Sequence, residues 1–107
     1  MEGLTITFIP REKQKSEYDW ADIVFNGCNV GKARCLIEGY NFTIYTINVY
    51  PEYQGNGYGR EFVERAKHKY RKVIADTVRY TSTGFWTKVG FVRMGETANW
   101  IYETPHF

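Results

Sequence analysis

The apolar residues of this chain of 107 residues first change their spacing at a glycine-rich turn near the middle. Before that turn they alternate with polar residues or form short extended runs, which is the pattern of half-buried strands. After it, Phe62, Val63, Ala66 and Tyr70 are spaced along one helical face. This order of patterns predicts a mixed α/β layout, with a sheet built mainly from the first half of the chain.

The same patterns locate the individual elements. Strands are predicted over residues 4–9, 21–25, 30–37, 42–49, 73–78, 91–94 and 100–103, and helices over residues 58–71 and 81–89. Asn26 and Gly27 separate two strands and predict a tight hairpin, since both positions of such a turn need a positive φ. Residues 11–19 are charged and lack helical periodicity, so they are expected to form a solvated loop or one short helical turn.

Composition supports this fold class and narrows the classes of function. Two leucines stand against 16 isoleucines and valines and 19 aromatic residues, which favours strands and excludes an all-helical bundle. The length allows a single domain, residues 1–107. A net charge of +2 gives no ground for a nucleic-acid partner, and no apolar window is long enough to cross a membrane.

The two cysteines, Cys28 and Cys35, match no zinc pattern, so no metal site is predicted. The N-terminus lacks the apolar core of a signal peptide. Both thiols are therefore expected to be reduced, buried and structural, and the protein is expected to be cytoplasmic.

The segment with the most chemical content joins the fourth predicted strand to the first long helix. Val49 ends the strand, and Gly55, Gly57 and Gly59 lead into the helix. Glycines let backbone N–H groups approach a phosphate, and a helix N-terminus adds positive potential, so the segment predicts an anion cradle. It is not a dinucleotide fingerprint, because Arg60 takes the place of the last glycine, nor a P-loop, because no Gly-Lys-Ser/Thr follows. The alternative is a glycine-rich turn with no ligand.

This segment resembles the acetyl-CoA loop of the GNAT superfamily of N-acetyltransferases. That loop reads Gln/Arg-x-x-Gly-x-Gly/Ala after a strand ending in Val-x-Pro. Here Val49 and Pro51 are followed by Gln54, Gly57 and Gly59, with the family's spacing.

Two further blocks extend the resemblance. The family block Phe-Tyr-x-Lys-x-Gly-Phe is similar to residues 85–91, which read Phe-Trp-Thr-Lys-Val-Gly-Phe. A weaker match is the turn before Val-Gly in the family's early hairpin, at residues 26–31. The three blocks span about residues 21–92 in the family's order. The resemblance implies a GNAT-like acyl-CoA N-acyltransferase fold with a mixed sheet, and acetyl-CoA as cosubstrate.

The resemblance also implies how acetyl-CoA is held. Backbone groups of Ile47 and Val49, on a strand that splays from the strand at residues 73–78, would bind the pantetheine arm. The Val49 N–H would polarise the thioester carbonyl, and loop amides would bind the pyrophosphate. The implied cofactor-binding residues are Ile47, Val49, Gln54, Gly55, Asn56, Gly57, Tyr58, Gly59, Arg60 and Trp86. An amine would attack the thioester directly, with no covalent enzyme intermediate.

Two departures from the family pattern bear on the mechanism. Trp86 stands where the family commonly has the tyrosine that protonates the leaving thiolate, and an indole N–H has no useful acidity. Either Trp86 only packs against the cofactor, or Tyr80 serves as the acid, or the thiolate leaves unprotonated.

The second departure is in length. Residues 10–20 replace two helices that the family usually has between its first two strands, so the predicted fold lacks most of these two helices. The acceptor side should therefore be open, which suits a protein or peptide acceptor, or be completed by a partner chain.

No general base is evident in the sequence. Tyr45 and Asn48 occupy the strand where some relatives carry glutamate, and Glu38, Asp76 and His68 are the remaining side chains to consider. A water chain is an equal alternative. The candidate catalytic residues are Tyr80 and Glu38.

Two classes of function follow. The first is an acetyl-CoA-dependent N-acetyltransferase acting on an amine, such as a lysine side chain or an N-terminus. The second is a non-catalytic CoA-binding or protein-interaction module. Trp86 is evidence for this second class, whereas the intact Gln54, Gly57 and Gly59 are evidence against it.

Basic residues at 67–72 are interpreted as a solvated helix end rather than a nucleic-acid patch, since cations suit the helix dipole there. The sequence leaves the oligomeric state open.

Overall fold

A computed structural model describes residues 1–105, and its strands form one seven-stranded sheet in the order β1-β2-β3-β4-β5-β7-β6. In chain order the elements are β1 (Leu4–Ile9), α1 (Arg11–Gln14), β2 (Asp19–Phe25), β3 (Cys28–Glu38), β4 (Asn41–Val49), α2 (Tyr58–Lys69), β5 (Lys72–Ala75), α3 (Thr83–Lys88), β6 (Val92–Arg93) and β7 (Trp100–Glu103). Single 3₁₀ turns lie at Pro51–Tyr53 and Tyr80–Ser82. The mixed α/β fold class predicted from the sequence is confirmed.

The first four strands form an antiparallel meander, whereas β4 and β5 pair in parallel across the connection through α2. Asn26 and Gly27 form the first hairpin turn with φ values of 49° and 80°, as predicted. A parallel pair needs a crossover, and α2 supplies it. The period change in the sequence therefore marks the crossover that joins the antiparallel meander to the parallel pair of β4 and β5.

The hydrophobic core lies on one face of the sheet, beneath α2 and α3. Strand residues at alternate positions face it, and Phe42 of β4 lies 6.1 Å from the ring of Phe62 in α2. Lys67 of α2 donates a hydrogen bond of 2.7 Å to the Val89 carbonyl directly after α3, so the two helices lie side by side. The predicted helical face is confirmed, because Phe62, Val63, Ala66 and Tyr70 are all buried.

The other face of the sheet is covered by neither α2 nor α3. Its side chains, including Trp20, Arg34, Tyr45 and Ile74, are only half-buried. Between β1 and β2 the chain forms the four-residue helix α1, so the short-turn interpretation of residues 11–19 is correct. In the described part of the chain, no helix has the length and apolarity needed to span a membrane.

Several sequence expectations need correction. Asp19 is only 4% exposed, not part of a solvated loop, because it accepts hydrogen bonds from Arg11 Nη1 (3.1 Å) and from the Ile37 amide (2.8 Å). Cys35 is buried but Cys28 is exposed, since it lies at the hairpin end of β3. The strand predicted at residues 73–78 ends at Ala75.

Candidate functional site

Strands β4 and β5 part at the middle of β4. They pair only over residues 41–44 and 72–75, and the last contact is a 2.9 Å hydrogen bond from the Asp76 amide to the Ile44 carbonyl. Beyond it lies an open cavity of about 820 Å³. The cavity is lined by residues 44–49, Gln54, Gly59, residues 75–79, Ser82, Phe85 and Trp86.

A β-bulge at Tyr45 sets the direction of the backbone groups along the β4 side. Arg34 of β3 pairs with Thr46 and Cys35 pairs with Ile44, so Tyr45 is an extra residue without a partner on β3. An extra residue reverses which backbone groups of the strand face each neighbour. Before the bulge, Ile44 turns its carbonyl toward β5.

After the bulge, the alternation runs the other way. The Tyr50 amide donates a 3.0 Å hydrogen bond to the Val30 carbonyl of β3, so residues at even positions now face β3. The N–H and C=O groups of Ile47 and Val49 therefore face the cavity, where no strand pairs with them. Gln54 Nε2 donates 2.9 Å to the Val49 carbonyl and leaves the Val49 N–H directed into the open space.

The β5 side of the opening is held back by a turn. Thr77 has a φ of 53°, which is uncommon for a β-branched residue, and bends the chain away from β4. Its amide donates 2.9 Å to Asn99 Oδ1, and the Val78 amide donates 2.7 Å to the Ala98 carbonyl. The segment before β7 therefore fixes the far wall of the cavity.

The glycine-rich loop closes one end of the opening. Gly55 and Gly57 have φ values of 84° and 81°, and Gly57 is the N-cap of α2 with no side-chain cap. The first intrahelical bond runs from the Glu61 amide to the Gly57 carbonyl, so the amides of residues 58–60 point out of the helix N-terminus unbonded. A Cβ at Gly59 would lie 3.6 Å from Val49 Cγ2, so the helix start sits directly against β4. Together these amides have the arrangement that the predicted anion cradle requires.

Aromatic residues of α3 form the floor. Trp86 is 8% exposed and packs against Phe85 at 5.1 Å and Phe91 at 4.8 Å between ring centroids. Trp86 also lines the cavity. Trp86 is thus part of both the core and the cavity wall.

Two polar side chains lie where β4 and β5 part. Burial, and secondly the charge of Asp76, raise the pKa of Tyr45, so its phenol stays protonated at neutral pH. Asp76 Oδ1 accepts a 2.6 Å hydrogen bond from the Thr77 hydroxyl and lines the same cavity. Tyr45 can therefore donate a hydrogen bond, whereas Asp76 can accept a proton.

The predicted binding residues are brought together, whereas the two predicted catalytic residues are not. Ile47, Val49, Gln54, Gly59 and Trp86 line the cavity. The remaining residues of the predicted set, Gly55, Asn56, Gly57, Tyr58 and Arg60, lie in the adjoining loop and first turn of α2. The Tyr58 ring turns away and packs on Phe25 at 5.1 Å.

Tyr80 and Glu38 lie outside the cavity. Tyr80 is 92% exposed, and Glu38 pairs with Asn41 at the far end of β4 from Val49. His68 is exposed on α2, where its Nδ1 lies 2.7 Å from the Glu64 carbonyl. Of the side chains considered as a base, Tyr45, Asn48 and Asp76 line the cavity. Sequence reasoning missed the Thr77 turn, for which a threonine gives no cue.

Comparison with known proteins agrees with this geometry. The family model described as "Acetyltransferase (GNAT) domain" matches residues 19–93, which include β2 to β6. A curated relative, an uncharacterized N-acetyltransferase of Oceanobacillus iheyensis, is 39% identical over 51 residues. That match covers 48% of this chain and 31% of the relative, so the chain aligns with about a third of that protein.

Solved structures show the same fold. The Bacillus subtilis N-acetyltransferase YlbP, in complex with coenzyme A, aligns with a TM-score of 0.62 at 25% identity, covering 79% of this chain and 67% of YlbP. A GNAT family acetyltransferase from Elizabethkingia anophelis with acetyl-CoA bound aligns with a TM-score of 0.61 at 13% identity, covering 97% of this chain and all of that one (100%). The family model spans well over half of the chain, and the chain therefore belongs to the GNAT acetyltransferase family.

Proposed function

We propose that this protein is an acetyl-CoA-dependent N-acetyltransferase that transfers the acetyl group to an amine by direct attack. One observation carries the proposal: the N–H groups of Ile47 and Val49 face an opening that continues into the uncapped N-terminus of α2. Unpaired amides along a strand followed by a cluster of amides suit an amide-containing arm that ends in a pyrophosphate. The GNAT relatives solved with coenzyme A or acetyl-CoA support this ligand.

In this proposal the cofactor-binding residues are those predicted from the sequence. Backbone groups of Ile47 and Val49 bind the pantetheine arm, and the amides of residues 55–60 bind the pyrophosphate. Gln54 fastens the loop to β4 through the Val49 carbonyl. Trp86 packs against the arm from the α3 side.

The reaction needs few side chains. The amine nitrogen bonds to the thioester carbon, the Val49 N–H stabilises the oxyanion, and the carbon–sulfur bond then breaks to release CoA thiolate. Asp76, directly or through water, takes the proton that the amine loses. A thiolate is a tolerable leaving group because a thiol pKa lies near 8.5, so no acid is required at the place of Trp86. Tyr80 and Glu38 stay predictions, and their positions outside the cavity favour Asp76 over both.

The acceptor side supports an amine carried on a peptide or protein. The sheet face beside Tyr45 is covered by neither α2 nor α3, so a bulky acceptor can reach the opening. We also propose that the chain works as one domain in the cytoplasm, a placement supported by its two unpaired cysteines.

Calorimetric titration with acetyl-CoA tests the binding site. Wild-type protein is expected to bind acetyl-CoA, and Gly57→Glu to lose binding. The substitution adds a negative charge to the proposed anion cradle and forces a residue with a side chain to adopt a φ of 81°. Gly39→Glu is the matched control: Gly39 also has a positive φ of 61° and free space around it, but lies in the turn between β3 and β4. Equal binding by the two variants would contradict the proposed cradle.

Turnover separates an enzyme from a binding module. We expect thiol release from acetyl-CoA to depend on added amine, and Asp76→Asn to lower kcat by about 10²-fold without changing the acetyl-CoA Kd. Tight binding of acetyl-CoA with no amine-dependent thiol release across amines and peptides would establish the module instead.

A further inference from the structure

Arg34 lies beside a pair of tyrosines on the sheet face that α2 and α3 leave uncovered. Its guanidinium carbon is 4.7 Å from the centroid of the Tyr18 ring and 5.9 Å from that of Tyr45. The two rings contact each other edge to face, with centroids 5.0 Å apart. A planar cation stacked in this way is held in position before any ligand arrives.

The N–H groups of the Arg34 guanidinium have no hydrogen-bond acceptor among the described residues. No described residue accepts a hydrogen bond from Arg34, and its Nε is fully buried without an acceptor anywhere in residues 1–105. Arg11, by contrast, donates to Asp19 Oδ2 and to the Ile37 carbonyl. The Nη1 and Nη2 groups are not fully buried, so they are the donors that an incoming acceptor group would meet.

Arg34 also lies next to the reaction site. It is directly opposite Thr46 in the pairing of β3 with β4, and both Thr46 and Tyr45 line the cavity. Asp76 lies on the other side of Tyr45, close enough for its charge to act on the phenol. A cation and an anion therefore flank Tyr45, on β3 and just after β5.

We propose that Arg34 binds a carboxylate carried by the acceptor, so that the acceptor class is an amine bearing a carboxylate, as in an amino acid or an acidic peptide. This inference rests on the proposed function, because it assigns the ammonium end of the acceptor to the Asp76 side of the cavity. A guanidinium pairs with a carboxylate through two parallel N–H donors, and Nη1 and Nη2 of Arg34 are donors that no described residue uses. The negative charge of Asp76, which lines the cavity, disfavours a doubly charged phosphate.

The test compares acceptors that differ only in the carboxylate. Free amino acids and their carboxamides form one arm, and lysine pentapeptides with a neighbouring glutamate or glutamine form the other. Rates are expressed per concentration of unprotonated amine. We expect wild-type protein to favour the carboxylate form by roughly 10- to 100-fold in kcat/KM, mainly through KM. The arm that shows the preference identifies the free or the peptide acceptor.

Arg34→Gln keeps a planar group beside the two rings and should reduce that preference to about one, while kcat for the carboxamides stays within a factor of about 3. Arg71→Gln is the matched control, since Arg71 stacks on Tyr40 at 4.7 Å but lies at the far end of β4. The Arg71→Gln variant should prefer carboxylate acceptors over carboxamides to the same extent as the wild type.

The outcomes separate the two proposals. If wild-type protein binds no acetyl-CoA, the proposed function fails, and this inference with it. If acetyl-CoA turns over but carboxylate and carboxamide acceptors react equally, or if Arg34→Gln keeps the preference while retaining the wild-type melting temperature, the inference alone is overturned. Inorganic phosphate that competes with the acceptor, and not with acetyl-CoA, as strongly as acetate does would also overturn it.

Discussion

At the level of single residues, the opening beside β4 depends on a glycine outside the glycine-rich loop. A Cβ at Gly31 would lie 2.8 Å from the Asn48 carbonyl oxygen and 3.2 Å from Val49 Cα, both backbone atoms. Gly31 therefore lets β3 support the last residues of β4 at close range. The sequence shows this residue only as part of a weak Val-Gly match, since nothing in the residue type reveals what faces it.

We expect Gly31→Ala to lower the free energy of unfolding by about 1–3 kcal/mol, because the strands must separate to admit the methyl group. Acetyl-CoA affinity should fall as well, because Val49 is displaced. Urea unfolding and calorimetry measure the two effects. Gly84→Ala in α3 is the control, since a Cβ there meets nothing within 4 Å; that variant should be neutral or more stable.

At the level of elements, the bulge at Tyr45 decides which amides of β4 the cavity receives. This leads to a test in which two neighbouring residues give opposite results. Val49 ends β4 with its N–H facing the cavity, whereas the Asn48 N–H faces β3. Proline removes the N–H and suits a strand end more than a paired position.

Val49→Pro is therefore expected to stay folded and to lose roughly 10²–10³-fold in kcat, the usual effect of removing one oxyanion donor. Asn48→Pro should instead lose stability, because it removes a hydrogen bond between β3 and β4. Circular dichroism melts and thiol-release rates distinguish the two. If both variants unfold alike, or Val49→Pro keeps full activity, the assigned amide directions are wrong.

Element boundaries show where sequence reasoning works and where it stops. β1 and β7 have the predicted bounds, because alternating residues flanked by turn residues define them locally. β5 ends three residues earlier than predicted, because Thr77 adopts a left-handed conformation held by Asn99, a residue 22 positions away. The binding loop could be predicted because glycine reports backbone geometry directly, whereas the Arg34 cluster depends on strand register, which no single segment specifies.

At the level of the whole molecule, the core sets the response to alkaline pH. Burial raises the pKa of Cys35 to about 12 and also raises the pKa of Tyr70, both within the core shared by the sheet and α2. The folded protein keeps these protons while the unfolded chain releases them. The unfolded state then binds fewer protons, so the stability present below about pH 9 is lost as the pH rises toward 12.

The free energy of unfolding should therefore fall by up to about 1.4 kcal/mol per pH unit on account of Cys35. Urea unfolding at about pH 8, 9 and 10 measures how steeply the free energy of unfolding falls with pH. Cys35→Ala should be less stable at pH 8. Between pH 9 and 10, however, its free energy of unfolding should fall less steeply than that of the wild type, by up to about 1.4 kcal/mol per pH unit. Parallel slopes for the two proteins would show that the thiol ionises normally in the fold.

The unpaired residue in β4 also has a consequence for how such an activity can arise or disappear. One residue inserted in β3 between Arg34 and Cys35 would give Tyr45 a partner and restore regular alternation, so that the groups now turned outward at Ile47 and Val49 would turn toward β3 instead. Every other side chain could stay the same, yet the opening would lose its donors. The donors proposed to activate a thioester thus depend on β4 having one residue more than β3 at this point, and a single codon inserted in β3 is enough to turn them away from the opening.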